Sequence, residues 1–178
     1  KQFDSTGKKT GTVWGAGMIF RKQAWDKLVK LNYNFFLNEQ RSGKLNWGGD
    51  DIELCETIIM QGYELWYDED LVFRHFMPDK RMSSSYLISR YFGLGRARLY
   101  LQAYTYCHTH NTLPMPHIKY PLWIDRYIHK TKELLKLRFE LWKNSYRKTD
   151  LEWLKYIALK GELYELWRIK SEYIAVYE

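Results

Sequence analysis

The chain is 178 residues long, enough for one domain with a sizeable core, and its formal net charge is +7. That balance favours anionic partners such as nucleotide diphosphates or anionic lipid, while no nucleic-acid reader motif accompanies it, so nucleic acid is not an expected partner. Two cysteines, Cys55 and Cys107, exclude a disulfide framework and point to a reducing, cytoplasmic setting, and no apolar run is long enough to span a bilayer.

Residues 1–11 are polar and rich in Gly and Lys, the composition of a loop. The start at Lys1-Gln2-Phe3, without an initiator Met or a signal peptide, reads as a fragment of a longer chain. Gly7-Lys8-Lys9-Thr10 has the ending of a phosphate-binding loop. The earlier glycine is missing and a strand is expected next, so that reading is rejected. Residues 12–21 read as a strand whose glycines allow close backbone approach. Residues 23–31 read as a short helix with Ala24, Leu28 and Leu31 on one side. Residues 32–46 form a loop with an aromatic insert, Tyr33, Phe35 and Phe36, either shaping an acceptor pocket or merely irregular surface.

Next comes Asn46-Trp47-Gly48-Gly49-Asp50-Asp51-Ile52-Glu53-Leu54-Cys55, two glycines running into paired carboxylates. Ile52, Cys55, Ile58 and Ile59 share a helical stripe, and Gly62 is a natural stop. Asp50 and Asp51 therefore sit at a helix N-terminus, where free N–H groups and the macrodipole stabilise ionised carboxylates. Asp50 with Glu53 also fits a capping box, although capping needs neither the second Asp nor the Trp-Gly-Gly before it.

Residues 63–67 read as a strand, Asp68-Glu69-Asp70 as a turn and residues 71–75 as a second strand, with Leu71, Phe73 and His75 on one face. Met77-Pro78-Asp79 breaks it. From Arg74 to Arg98 six basic residues face one acid, either a segment that closes over a pyrophosphate or a solvated helix face. Cys107, His108, His110 and His117 lack a second ligand pair at zinc-like spacing, so residues 107–121 read as a linker. Residues 122–147 form a long amphipathic helix on which Ile124, Ile128, Leu135, Phe139, Trp142 and Tyr146 repeat near period 3.6. Thr149-x-x-Glu152 opens a further helix, interrupted at Gly161, and residues 162–176 form a third. Interleaved Lys/Arg and Trp/Tyr permit a helix lying on an anionic membrane at its inner face; packing among the helices or a homo-oligomer contact is the alternative.

Trp47-Gly48-Gly49-Asp50-Asp51-Ile52-Glu53-Leu54-Cys55, followed by Gly62-Tyr63 and a segment ending in Arg74-His75, resembles the second half of a GT-A glycosyltransferase, closest to family 2 of inverting enzymes. It is also similar to the carboxy-terminal part of β-1,4-galactosyltransferases, and Trp14-Gly15-Ala16-Gly17-Met18-Ile19-Phe20-Arg21 resembles the Gly-rich strand that precedes this region in those families. The likeness covers roughly residues 11–100 with its parts in order.

This resemblance implies an α/β fold: a partial GT-A, Rossmann-like domain over residues 1–106, the linker over 107–121 and a helical appendage over 122–178. By position Asp51 matches the catalytic base and Asp50, with Trp47 and Gly49, the acceptor side. Trp47 would offer a flat face to a sugar ring. Gly15, Ala16 and Gly17 would border the donor sugar, with Arg74 and Arg81 near its diphosphate. His75 matches a ligand for Mn²⁺ or Mg²⁺. The implied substrates are a nucleotide-diphospho-sugar donor and a saccharide or glycolipid acceptor, with a nucleotide-binding half carrying an Asp-x-Asp metal site placed before residue 1. The rival reading is a non-enzymatic, basic and aromatic-rich module that binds anionic polysaccharide or a membrane surface.

Overall fold

The computed structural model describes residues 8–39, 47–110, 122–145, 147 and 150–173. In chain order these carry β1 (Lys8–Thr10), α1 (Lys22–Lys30), α2 (Phe36–Glu39), α3 (Asp50–Met60), β2 (Leu65–Tyr67), a 3₁₀ turn (Asp79–Met82), α4 (Ser84–His110), α5 (Trp123–Asn144) and α6 (Leu151–Arg168).

This architecture overturns the expected fold class. A Rossmann-like α/β half-domain needs a multi-stranded sheet, whereas the described residues are mostly helical and their only sheet is β1 paired antiparallel with β2, Lys8 opposite Tyr67 and Thr10 opposite Leu65. Helix hydrogen bonds close within four residues, but a strand must find a partner elsewhere in the chain. The strand expected over residues 12–21 is broken by a turn: the Met18 N–H donates to the Gly15 carbonyl at 3.4 Å, and Gly17 takes φ 81°, a value an L side chain resists. Residues 71–75 join no ladder among the described residues, leaving Val72 and Phe76 more than four-fifths exposed. Only the last three residues of the strand expected over 63–67 pair, as β2.

The helices follow their patterns more closely. The α1 helix buries Ala24 and Leu28, and α3 buries Cys55 and Ile58. Ala24, Cys55, Ile58 and Leu65 make one core cluster, with Val13 and Met18 packed against it. This cluster fixes the Gly-rich turn and α1 against one side of α3. A second cluster joins Leu37, Trp47, Ala97 and Tyr100 to Leu166 and Ile169. Each such fully buried large apolar side chain contributes about 1.5–3 kcal/mol relative to exposure.

The α4 helix runs unbroken through the expected boundary at residues 106 and 107 and packs along α6. The interruption expected at Gly161 is absent, because α6 continues through it. Gly161 instead lets two backbones touch: a Cβ there would lie 2.1 Å from the Phe92 carbonyl oxygen, and one on Gly95 would lie closer still to that of Ala158. Beside this contact two fully buried carboxylates of α6 find cations. Glu165 Oε2 accepts from Arg96 Nε at 2.7 Å and its Oε1 from the Tyr100 hydroxyl at 2.8 Å, while Glu162 lies 3.2 Å from Arg126. Buried charges persist only when paired in this way. Asp150 is the residue before α6; Thr149, Tyr146, His117, residues 174–176 and the side chains of Cys107, His108 and His110 lie outside the described ones.

The α5 helix packs on α6 through Trp123 and Tyr127, and the Trp123 indole N–H donates to the Leu166 carbonyl at 2.7 Å. Among the described residues no helix is long and apolar enough to cross a membrane.

Candidate functional site

The site grows from the first turn of α3. Gly49 precedes the helix at φ 97°, and its carbonyl accepts the Glu53 N–H at 2.8 Å. A Cβ on Gly49 would be strained by that φ and would press within 2.9 Å of Leu101. The capping-box alternative does not form at this end. Glu53 turns inward instead, where Oε1 accepts from the Phe36 N–H at 2.8 Å and the Tyr104 hydroxyl at 2.6 Å, and Oε2 from the Leu37 N–H at 2.9 Å. The Tyr33 and Tyr104 hydroxyl oxygens are 2.5 Å apart. Burial raises the Glu53 carboxyl above the usual range, outweighing the three hydrogen bonds that favour its charge, and burial beside Glu53 raises the Tyr104 phenol. Glu53 thus ties α2 and α4 to α3 and holds the helix start rigid, leaving Asp50 and Asp51 half-buried at its mouth.

Asp51 reaches outward. Its Oδ2 accepts the Gly15 N–H at 3.2 Å and its Oδ1 the Ile52 N–H at 3.0 Å. A Cβ at Gly15 would sit 3.1 Å from that of Asp51, so the loop approaches because the residue is glycine. Gly17 opens a slot for the Phe73 ring, whose Cε1 lies 2.4 Å from where a Cβ would be, and the Phe73 ring meets that of His75 edge-on at 6.4 Å. The Gly15–Gly17 turn therefore touches two stretches distant from it in sequence: Asp51 at the α3 start through Gly15, and Phe73, with His75 beside it, through Gly17. Ala16 is exposed at the tip of the turn.

Other predicted residues stand differently. Trp47 is only 6% exposed, with the Arg96 guanidinium 4.1 Å over its ring and Tyr100 against it, so the flat face expected to meet a sugar is covered. Arg90 lies against Gly48 and donates to the Trp47 carbonyl at 2.7 Å, bracing the same turn. Gly49 is buried and shapes the backbone without facing solvent. Arg74 and Arg81 are exposed, and no contact among the described residues ties either to Asp51. Sequence reasoning overlooked Trp14, which is 82% exposed and directly precedes the glycine that binds Asp51. Its signal was its place beside a Gly-rich turn, since a side chain next to such a turn has little chain to cover it.

The described residues do not by themselves make a centre for Mn²⁺ or Mg²⁺. Among the described residues no three His, Cys, Asp or Glu side chains cluster to hold a metal ion, and His75 is exposed beside Phe73. A hard divalent ion needs several oxygen ligands at short range, so His75 offers at most one donor to a centre built by other groups. A cavity of about 470 Å³ lies elsewhere among the described residues, between α4, α5 and α6, where Arg98, Lys136 and Lys155 alternate with Glu133 and Glu140. Comparison with protein-family models, with curated proteins and with solved structures finds no match to this chain.

Proposed function

We propose that the Asp51 site is the acceptor side of an inverting sugar transfer, from a nucleotide-diphospho-sugar donor to a hydroxyl of a saccharide or glycolipid. The observation that carries this reading is the half-exposed Asp51 carboxylate held at the α3 start by the Gly15 N–H of the glycine-rich turn. A carboxylate at a helix start, oriented by two backbone N–H groups and still half-exposed, retains lone pairs for an incoming hydroxyl. The Rossmann-like sheet is no part of the proposal.

In this reading the acceptor hydroxyl donates its hydrogen bond to Asp51. As its oxygen forms a bond to the anomeric carbon, the proton passes to the carboxylate, while the bond from that carbon to the diphosphate oxygen breaks and the nucleoside diphosphate leaves with the electron pair. Attack from the face opposite the leaving group inverts the centre. Asp50, beside the base, orients the acceptor, and the glycines at 15 and 17 let the turn close on Asp51 and on the Phe73 ring. In this reading Arg74 and Arg81, exposed and cationic, would balance charge on the leaving diphosphate. No step is drawn through a metal.

The test is release of nucleoside diphosphate from a panel of nucleotide sugars with mixed saccharide acceptors, for the full-length parent, with the nucleotide-binding half that this reading places before residue 1, and its Asp51→Asn variant. Asn keeps a carbonyl oxygen for the Gly15 N–H, so the loop stays docked. Turnover should fall by about 10²–10⁴-fold, the range for loss of a general base, at an unchanged melting temperature. Equal turnover in both proteins would leave Asp51 as the residue that holds the loop and nothing more.

A further inference from the structure

The α5 helix carries a feature that the sugar-transfer reading does not use. Ile124, Ile128, Leu135, Phe139 and Trp142 are 47%, 45%, 57%, 60% and 78% exposed. At 100° per residue these five positions fall within a sector of about 60°, and they extend along the helix for about 27 Å. The adjoining face, with Leu141 buried and Tyr127 against Trp167, already packs on α6. The exposed stripe is thus a second apolar face, not the one that holds the helix in the fold.

The charges beside it select its partner. The first charged residue on one flank is Lys132 and on the other Arg138, both exposed, with Lys143 and Lys136 behind Lys132. Asp125 lies among them near the helix start, Glu133 pairs with Lys130 at 3.0 Å, and Glu140 is further round, on the side of the α4–α6 groove. Two copies facing each other along this seam would bring cation against cation. An anionic lipid surface instead takes the apolar stripe into its acyl boundary and sets its headgroups against the flanking cations, while Lys and Arg stems lie along the stripe. The Trp142 and Phe139 rings, 5.8 Å apart near the helix end, suit the headgroup boundary.

We infer that α5 is an interfacial helix that seats the protein on an anionic membrane surface through Ile124, Ile128, Leu135, Phe139 and Trp142. The helix lies in the surface and does not cross it. This inference is independent of the chemistry at Asp51.

The experiment is co-sedimentation of the protein with sucrose-loaded vesicles, comparing equal parts phosphatidylglycerol and phosphatidylcholine with phosphatidylcholine alone. Binding is expected to the anionic vesicles, at least about tenfold stronger than to neutral ones and weakened by added salt. The double variant Phe139→Ser/Trp142→Ser should lose at least about tenfold in partition, and Lys132→Glu/Arg138→Glu should lose the preference for anionic lipid. These side chains are exposed, so melting temperatures should match the wild type. No binding to anionic vesicles overturns the inference, as does binding that the Phe139/Trp142 variant leaves unchanged. A concentration-dependent dimer in sedimentation velocity that this variant abolishes, without vesicle binding, would assign the stripe to a second copy.

Discussion

Replacing Gly161 with Ala opposes two physical effects of opposite sign. In an exposed helix interior, Ala is favoured over Gly by about 1 kcal/mol, because Gly loses more backbone freedom. Here the added methyl would lie 2.1 Å from the Phe92 carbonyl oxygen, 3.0 Å from its carbon and 3.2 Å from the Arg96 nitrogen. All three are backbone atoms, so no side chain can swing aside; α4 and α6 must separate by more than an ångström. Overpacking of this kind costs about 1–3 kcal/mol. Separation also stretches the buried Arg96–Glu165 pair, now at 2.7 Å, and the full loss of a buried pair's partner costs about 3–5 kcal/mol. Even partial loss of that pair outweighs the propensity gain, for a net destabilisation of about 2 kcal/mol or more. In a chain of this size that lowers the melting temperature by about 4–8 °C, read by circular dichroism of the helix signal. A melting temperature equal to or above that of the wild type would refute backbone contact between α4 and α6.

The remaining predictions concern the buried charges. Arg96→Met strands Glu165 in the core with only Arg168 and Tyr100, so urea denaturation should show a loss of about 3–5 kcal/mol; a loss within experimental scatter would mean that Arg96 does not neutralise Glu165. The two glutamates should respond to pH with opposite signs. Burial raises Glu53, so just above the ordinary glutamate value the folded state holds a proton the unfolded chain has lost, and stability falls as pH rises through that window. Melting temperatures from about pH 3 to about pH 7 should therefore show Glu53→Gln improving relative to wild type as pH rises. Glu165 is also pushed up by burial, but hydrogen bonds from Arg168, Arg96 and Tyr100 outweigh this and lower it, so its stabilisation is present above the ordinary value and lost as pH falls through its lowered one. Glu165→Gln should accordingly worsen relative to wild type as pH rises, and parallel curves for the two variants would contradict at least one of the assignments.

Local spacing marked three of the helices, α1, α3 and α5. The α3 helix from Asp50 to Met60 could be read from Ile52, Cys55, Ile58 and Ile59 and from the stop at Gly62, and α1 and α5 from similar spacing, because each helix closes its own hydrogen bonds and its apolar period is written locally. The paired carboxylates at the α3 start were legible for the same reason. Strands were not: residues 12–21 and 71–75 have β-like composition, yet pairing depends on a partner that composition does not record.

Only the tertiary structure decided which residues face solvent and which face each other. Trp47, flat and next to two glycines, looked available to a ligand; Arg96, forty-nine positions later, covers it, while Trp14, next to Gly15 in the chain, stays bare. Glu53 stood at capping-box spacing, yet its carboxylate serves α2 and Tyr104. Gly161 looked like a break and is the point where two helix backbones meet. In each case local propensity named a residue's options, and long-range packing, which must pair every buried charge and fill every close contact, chose among them.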